Sequence, residues 1–158
     1  MSRKRYLKEE FIKPDSIYNN FLISLFISKI LKSGKKVLAN NIVYETCSIL
    51  KKHFKEDPIN IIKEAIKLAS PKIELKDKKI RNSIKKIPVE ISSYRATYLA
   101  LKWIIKYSKK RTEKTMSKRL ANEILEIVTK NNSRTIKEKR RFHKIAKSNK
   151  SFTYHFKR

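Results

Sequence analysis

Apolar residues recur every three or four positions along most of the chain, the spacing that places them on one face of an α-helix. Proline and glycine interrupt this pattern where helices should begin or end. Asp57 before Pro58 is typical of an N-cap followed by the first helical residue, and Gly34 can adopt the left-handed conformation that ends a helix. Asp15 or Ser16 can cap the first helix. The pattern predicts helices over about 16–33, 36–54, 58–70, 93–110, 114–130 and 135–149.

Between the third and fourth helices the period changes to two, which is the period of a β-strand. Ile73 and Leu75 alternate with charged residues, and a similar alternation follows Ile87. Pro88 cannot donate to a ladder, so its strand should lie at an edge. An isolated ribbon of this kind is marginal in water and should lean on the helices or on a partner. We predict a mainly α fold of about six helices, with a protruding two-stranded antiparallel β-ribbon at about 72–91.

The composition adds a large excess of positive charge to this picture. Lys and Arg number 41 against 14 Asp and Glu, which gives a net charge of +27 over 158 residues. Such a chain repels itself when folded alone, so its natural partner is a polyanion. Hydrophobic residues make up 40 %, which favours a folded domain over a disordered basic tail. The single glycine excludes glycine-rich phosphate loops and dinucleotide fingerprints.

The charge and the apolar pattern together divide the chain into three parts. Residues 1–14 are basic and aperiodic and should form a flexible N-terminal arm, and 15–150 should form a single helical RNA-binding domain. Residues 151–158 form a basic and aromatic C-terminal tail. Aromatic side chains on such a tail can stack on unpaired bases. The tail residues with this potential are Phe152, Tyr154 and Phe156.

The residue pattern does not indicate a catalytic site or a metal site. His53, His143 and His155 have no partners at metal-ligand spacing, and Cys47 lies in an apolar helical pattern typical of a packed thiol. The most apolar run, 21–31, is interrupted by polar residues and is too short to span a membrane. We therefore expect no enzyme, no cofactor, no metal, no small-molecule substrate, no membrane partner and no targeting segment.

Basic residues cluster in four places, namely the N-terminal arm, the ribbon tip, one stripe of the fourth helix and the last helix. Clustered Lys and Arg neutralise phosphates, and their dispersal over several elements suits a folded RNA better than a straight duplex. Trp103 and Tyr107 lie on the apolar side of their helix and should belong to the core. The stripe on the fourth helix consists of Arg95, Lys102, Lys106 and Lys109.

Several local strings, in order and at matching spacings, resemble the small-subunit ribosomal protein seven family of bacterial and organellar type. The match covers nearly the whole chain. No single string is specific, but the ordered set is. It comprises Ser2-Arg3-Lys4-Arg5, Asp15, Tyr18, Gly34-Lys35-Lys36, Ala39, Ile42-Val43-Tyr44, Ile87-Pro88-Val89-Glu90-Ile91, Lys102-Trp103, Lys110-Arg111, Met116, Arg119-Leu120-Ala121-Asn122-Glu123, His143, Ala146 and Asn149-Lys150-Ser151-Phe152.

This resemblance implies a helical protein with a protruding β-ribbon that binds the 3′ major domain of small-subunit rRNA and organises assembly of the subunit head. It implies that the ribbon faces the path of exit-site tRNA and mRNA, and that the C-terminal helix approaches ribosomal protein eleven. RNA contacts carried over by position are Arg3, Lys4, Arg5, Lys35, Lys36, Lys76, Lys78, Lys79, Arg95, Lys102, Lys110, Arg111 and Arg119. The basic clusters add Arg81, Lys85, Lys86, Lys106, Arg140, Arg141 and Lys144.

The chain departs from the family pattern at three places. The entry to the fourth helix is Ser92-Ser93-Tyr94-Arg95, where the family is usually richer in arginine or glycine, so only Arg95 carries over there. Arg81-Asn82 stands where the family commonly has two glycines at the ribbon tip, so the conformation of the tip is open. Arg140 and Arg141 stand where acidic residues are common, which favours extra contact of the last helix with RNA.

The excess of lysine, isoleucine and asparagine is typical of an AT-rich genome, and the segment 15–44 resembles plastid members most closely. We therefore expect a plastid ribosome, with a mitochondrion or an AT-rich bacterium as alternatives. Two other functions fit the composition. One is a protein that compacts nucleic acid without specificity, and the other is an interaction module whose basic last helix binds an acidic partner or a membrane.

Overall fold

The computed structural model describes residues 13–80, 82–130 and 132–150. Within them the chain forms a mainly helical domain with one antiparallel β-ribbon between the third and fourth helices, which confirms the predicted fold class. None of the helices in these ranges has the length and apolar content needed to cross a bilayer. The elements are α1 (Phe21–Ile30), α2 (Lys36–Phe54), α3 (Pro58–Ala69), β1 (Ile73–Ile80), β2 (Ser83–Glu90), α4 (Ser93–Ser108), α5 (Met116–Lys130) and α6 (Arg134–Ser148).

The predicted start of α1 is wrong, because the helix begins at Phe21 rather than after Asp15 or Ser16. The side chain of Asn20 is the N-cap and accepts a hydrogen bond from the Leu22 amide at 2.9 Å. Asp15 instead closes a turn that precedes the helix and accepts the Tyr44 hydroxyl at 2.8 Å. Burial and this bond raise the pKa of Tyr44 to about 12. Asp15 therefore fastens the entering chain to α2.

The predicted end of α1 at about Ser33 is also wrong, because the helix stops at Ile30. The turn that follows places Ser33 and Gly34 in the left-handed region, with φ angles of 50° and 73°. A Cβ on Gly34 would meet no atom within 4 Å, so the backbone conformation rather than space favours glycine. The left-handed conformation predicted for Gly34 is confirmed, although it lies in the α1–α2 turn and not at the helix end.

The other helices match their predicted bounds within about two residues. Their apolar faces meet in one core in which α5 contacts α2, α3, α4 and α6. Cys47 is fully buried in this core, and burial raises the pKa of its thiol to about 11, as suits a packed side chain. Trp103 is 5 % exposed and packs on Phe142 of α6 with ring centroids 5.0 Å apart, which confirms its predicted place in the interior.

The base of the ribbon rests on α6, which contacts both strands. Ile87 of β2 is fully buried there. The Asn149 side chain donates to the Lys86 carbonyl at 2.9 Å, and the Lys72 amide donates to His143 Nε2 at 3.3 Å. The support that a two-stranded ribbon requires is therefore supplied by the last helix.

A buried carboxylate fixes the start of α6. Glu123 of α5 is fully buried and accepts hydrogen bonds from the amide and the hydroxyl of Thr135 at 3.3 and 2.7 Å. Its other oxygen accepts Arg111 at 2.8 Å. The guanidinium of Arg111 also bonds Glu113 and Glu126, at 3.1 and 2.7 Å. This network of charge-assisted bonds joins the α4–α5 connection, α5 and α6.

Replacing the buried carboxylate should loosen this junction. We expect Glu123→Gln to lower the free energy of unfolding by about 3 kcal/mol, because a buried partner of both Arg111 and Thr135 loses its charge. Glu126→Gln, at a position whose side chain is 37 % exposed, is the matched control and should cost under about 1 kcal/mol. Urea unfolding followed by circular dichroism measures both values. Equal losses for the two variants would contradict the special role of Glu123.

The ribbon base should be sensitive to mild acid through His143. Burial lowers the pKa of His143 below its usual value, and Lys139 and Lys72 lower it further. The unfolded chain therefore takes up this proton at higher pH than the folded chain. The contribution of His143 to the free energy of unfolding is complete above about pH 6.5, the pKa of the unfolded chain. It falls as the pH drops towards the lower pKa of the folded chain.

We expect the urea midpoint to fall between pH 7.5 and 5.5, and His143→Gln to flatten part of that fall. His53→Gln, at an exposed position on α2, should leave the pH dependence as in the parent chain. A parent-like slope in His143→Gln would show that His143 does not link protons to folding.

Candidate nucleic-acid interface

The outer face of α4 carries the predicted basic stripe, and its four cations are all exposed. Arg95 at its first turn forms two hydrogen bonds to Glu74 of β1, at 3.2 and 2.6 Å, and these bonds lower the pKa of the Glu74 carboxyl. Lys106 lies 4.0 Å from a carboxylate oxygen of Glu138. The stripe is thus tied to the ribbon at its first turn and to α6 near its other end.

A lysine in the last turn of α1 lies beside this stripe. Lys29 places its ammonium 3.9 Å from the ring centroid of Tyr98 on α4, which is close enough for a cation–π interaction. The two helices enclose a depression of about 390 Å³. Its lining residues are Lys29, Tyr98, Lys102, Ile105, Lys106 and Lys109.

A second depression of about 230 Å³ lies beside the first and shares Lys109 with it. Its lining includes Lys32 and Lys35, from the turn that joins α1 to α2. Burial lowers the pKa of Lys109, and the neighbouring Lys32 lowers it further. We call the two depressions together the lysine groove, defined by Lys29, Lys32, Lys35, Lys102, Lys106 and Lys109.

Three of these six lysines, Lys29, Lys32 and Lys109, are absent from the RNA contacts predicted from sequence. Lys109 was visible in the basic stripe of the fourth helix, whereas Lys29 and Lys32 merely interrupt the apolar first helix. Only the packing of α1 against α4 brings them to the same surface. Lys36, which was predicted, lies outside this groove and lines a different depression with Pro14 and Asn40.

The ribbon presents cations on both of its faces. Lys78 and Lys85 are directly opposite each other in the strand register, and like charges in that position destabilise a sheet. Strand alternation places them, with Lys76, on the same face as the buried Ile87. The other face carries Lys79 and Lys86 together with Ile84, which is 73 % exposed.

The last helix holds three predicted RNA contacts on exposed positions, namely Arg140, Arg141 and Lys144. Arg141 lies 3.9 Å from Glu138 one turn earlier, and its side chain is 73 % exposed. Lys139 instead turns inward and donates to the Leu68 carbonyl at the end of α3, at 2.7 Å. One cation of α6 thus binds the fold, while the three predicted residues face outward.

Two predicted RNA contacts, Arg111 and Arg119, are partly buried and have internal partners that the sequence did not indicate. Arg111 is held by three carboxylates, its side chain is 15 % exposed, and these bonds raise its pKa. Arg119 donates its Nε hydrogen to the Glu113 carbonyl. The adjacent Lys110 is exposed. The geometry gives Arg111 and Arg119 structural roles, and their contact with RNA stays a prediction.

Some predicted residues lie outside the described part of the chain. They are Arg3, Lys4, Arg5 and Arg81 among the basic residues, and Phe152, Tyr154 and Phe156 among the aromatic ones. Within residues 13–80, 82–130 and 132–150, no group of three or more His, Cys, Asp or Glu side chains could hold a metal ion.

Comparison with known proteins gives a consistent result over nearly the full length. The family model for "Ribosomal protein S7p/S5e" matches residues 2–150. The chain is 48 % identical over 146 residues to "Small ribosomal subunit protein uS7c" of Trieres chinensis, covering 92 % of this chain and 91 % of the relative. It is 42 % identical to the uS7c protein of Euglena gracilis, with 97 % of each chain covered.

A cyanobacterial relative, "Small ribosomal subunit protein uS7" of Gloeothece citriformis, is 35 % identical over 98 % of this chain and 99 % of its own length. The resemblance carried by the ordered strings is therefore confirmed, from the basic N-terminal string to the Asn149-Lys150 string of the last helix. The chain belongs to the ribosomal protein S7p/S5e family, whose members are structural components of the small ribosomal subunit.

Proposed function

We propose that the protein binds the 3′ major domain of small-subunit rRNA directly and organises assembly of the subunit head. The observation that carries this proposal is the lysine groove. Its six lysines come from α1, from the turn between α1 and α2, and from the C-terminal half of α4 and its cap, and no carboxylate is among the lining residues. Bringing cations together costs free energy in the isolated protein, and a phosphate backbone neutralises them. Phosphate contacts of this kind position a protein on a folded RNA.

We infer that the ribbon and the last helix serve two further contacts. The ribbon is held at its base by α6 and carries basic residues along its length, which suits an approach to exit-site tRNA and mRNA. The exposed arginines of α6 suit either rRNA or the neighbouring ribosomal protein eleven. The domain of 15–150 acts as the RNA-binding body, and the segments 1–14 and 151–158 extend its reach.

The proposed location is a plastid ribosome. Relatives named uS7c, the plastid form of the protein, are 48 % and 42 % identical to the chain, against 35 % for the cyanobacterial relative described above. A lysine-rich composition with a single glycine fits the AT-rich genome of a reduced plastid.

Membership of the small subunit can be tested by fractionation of the source organelle. We expect the protein to co-sediment with the small subunit in low salt and to be released only at high salt, because its phosphate contacts weaken as counterions compete. Sucrose-gradient fractions probed with an antibody against the chain provide the measurement. A protein found with DNA, or free in low salt, would overturn the proposal.

The α4 stripe should contribute through charge alone. We expect the affinity for a folded rRNA fragment of the head domain to fall steeply with salt, and Lys102→Gln or Lys106→Gln to reduce the slope of log K against log salt by about 1 each. Lys67→Gln, at an exposed position on α3 outside the basic clusters, is the matched control and should leave the slope unchanged.

Filter binding at four salt concentrations, with the same fragment and with random duplex DNA, makes this measurement. Equal affinity for the two nucleic acids at physiological salt would favour the alternative function, compaction of nucleic acid without specificity.

A further inference from the structure

The two halves of the lysine groove differ in chemistry. The larger half is walled by ammonium groups and the Tyr98 ring. Five of the eight residues that line the smaller half are apolar, and we call these five the apolar floor. The floor consists of Ile30, Leu38, Ala39, Ile42 and Met116.

Binding of phosphates would account for the clustered lysines but not for the apolar floor. A paired RNA strand presents phosphates, 2′-hydroxyls and base edges to such a surface, while the flat faces of its bases remain stacked in the helix. Ala39 is already buried, and Ile30, Ile42 and Met116 are partly buried, so the surface that a ligand could still cover belongs mainly to Leu38. Leu38 in particular leaves 56 % of its surface exposed in a position that lines the depression.

An unpaired nucleotide supplies both kinds of contact within one unit. Its phosphates are anionic, and the flat faces of its base can pack on apolar side chains. Lys109 lies in both halves of the groove, so a phosphate beside it would have room for the attached base to enter the smaller half. Desolvation has the larger effect in lowering the pKa of Lys109, and Lys32 lies close enough to lower it further.

We propose that the lysine groove binds an unpaired nucleotide of an RNA strand, with the phosphates along the lysines and the base on the apolar floor. This inference rests on the proposed function and deepens it, because it selects bulges and unpaired junction residues over continuous duplex. We prefer an RNA strand to an acidic peptide as the ligand. Six lysines line the two depressions, and RNA carries a negative charge at every phosphate.

The test uses the full chain and two RNA hairpins that differ only by one unpaired nucleotide in the stem. We expect the bulged hairpin to bind at least about 5-fold more tightly, in line with the energy of placing one base on a side-chain platform. Leu38→Asn should abolish this preference without changing the salt slope, because the lost contact is apolar. Lys109→Gln should reduce the salt slope by about 1 for both hairpins.

Val37→Asn is the matched control, because Val37 is the adjacent residue, is 74 % exposed and does not line either half of the groove. It should bind both hairpins like the parent chain. Equal affinity of the parent chain for the two hairpins, or equal effects of Leu38→Asn and Val37→Asn, would overturn the inference.

A synthetic amphipathic helical peptide, with leucine at every third or fourth position and glutamate on its other face, is the third probe. If it binds in a Leu38-dependent manner while the bulge preference is absent, the groove serves a protein partner and the inference is wrong. Failure of the proposed function itself is distinguishable, since it would abolish co-sedimentation with the small subunit. Loss of the bulge preference alone leaves that association intact.

Discussion

The junction at Glu123 is the interaction on which the outer parts of the structure depend. This buried carboxylate holds the first turn of α6 through Thr135 and the α4–α5 connection through Arg111. The ribbon in turn rests on α6, so its position follows from the same junction. A buried charge is costly unless it is paired and hydrogen-bonded. One oxygen of Glu123 accepts the charged Arg111 donor, and the other accepts the two neutral donors of Thr135. The basic surfaces of the ribbon and of α6 are thereby held in a fixed relation to the helical core.

The chain has few carboxylates, and its net charge is +27. Three of them surround Arg111, and Glu74 binds Arg95 at the start of the α4 stripe. None lines the lysine groove. Acidic groups therefore stabilise the junctions between elements, and one of them, Glu138, lies 4.0 Å from Lys106 of the groove. This arrangement lets a strongly basic chain fold and still present clustered cations to a polyanion.

Periodicity was sufficient to predict the type and order of every helix and strand in the described ranges, because each element has a distinct apolar face. It could not locate the start of α1, since Asp15 and Asn20 are both good caps and the bond from Tyr44, 29 residues away, decides between them. The same limit applies to the site. Lys109 and Arg111 are neighbours of the same sign in sequence, yet tertiary packing turns one toward the groove and the other toward three carboxylates.

The ribbon shows how this fold supports a two-stranded sheet outside the helical core. Ile87, Asn149 and His143 secure its base on α6. Nearer the tip, Lys78 and Lys85 are opposed in the strand register, a pairing that contributes less to a sheet than a pair of opposite charges. The order of the ribbon therefore depends most on its base. Because α6 supplies that base and also carries outward arginines, the same helix supports the ribbon and presents a basic surface beside it.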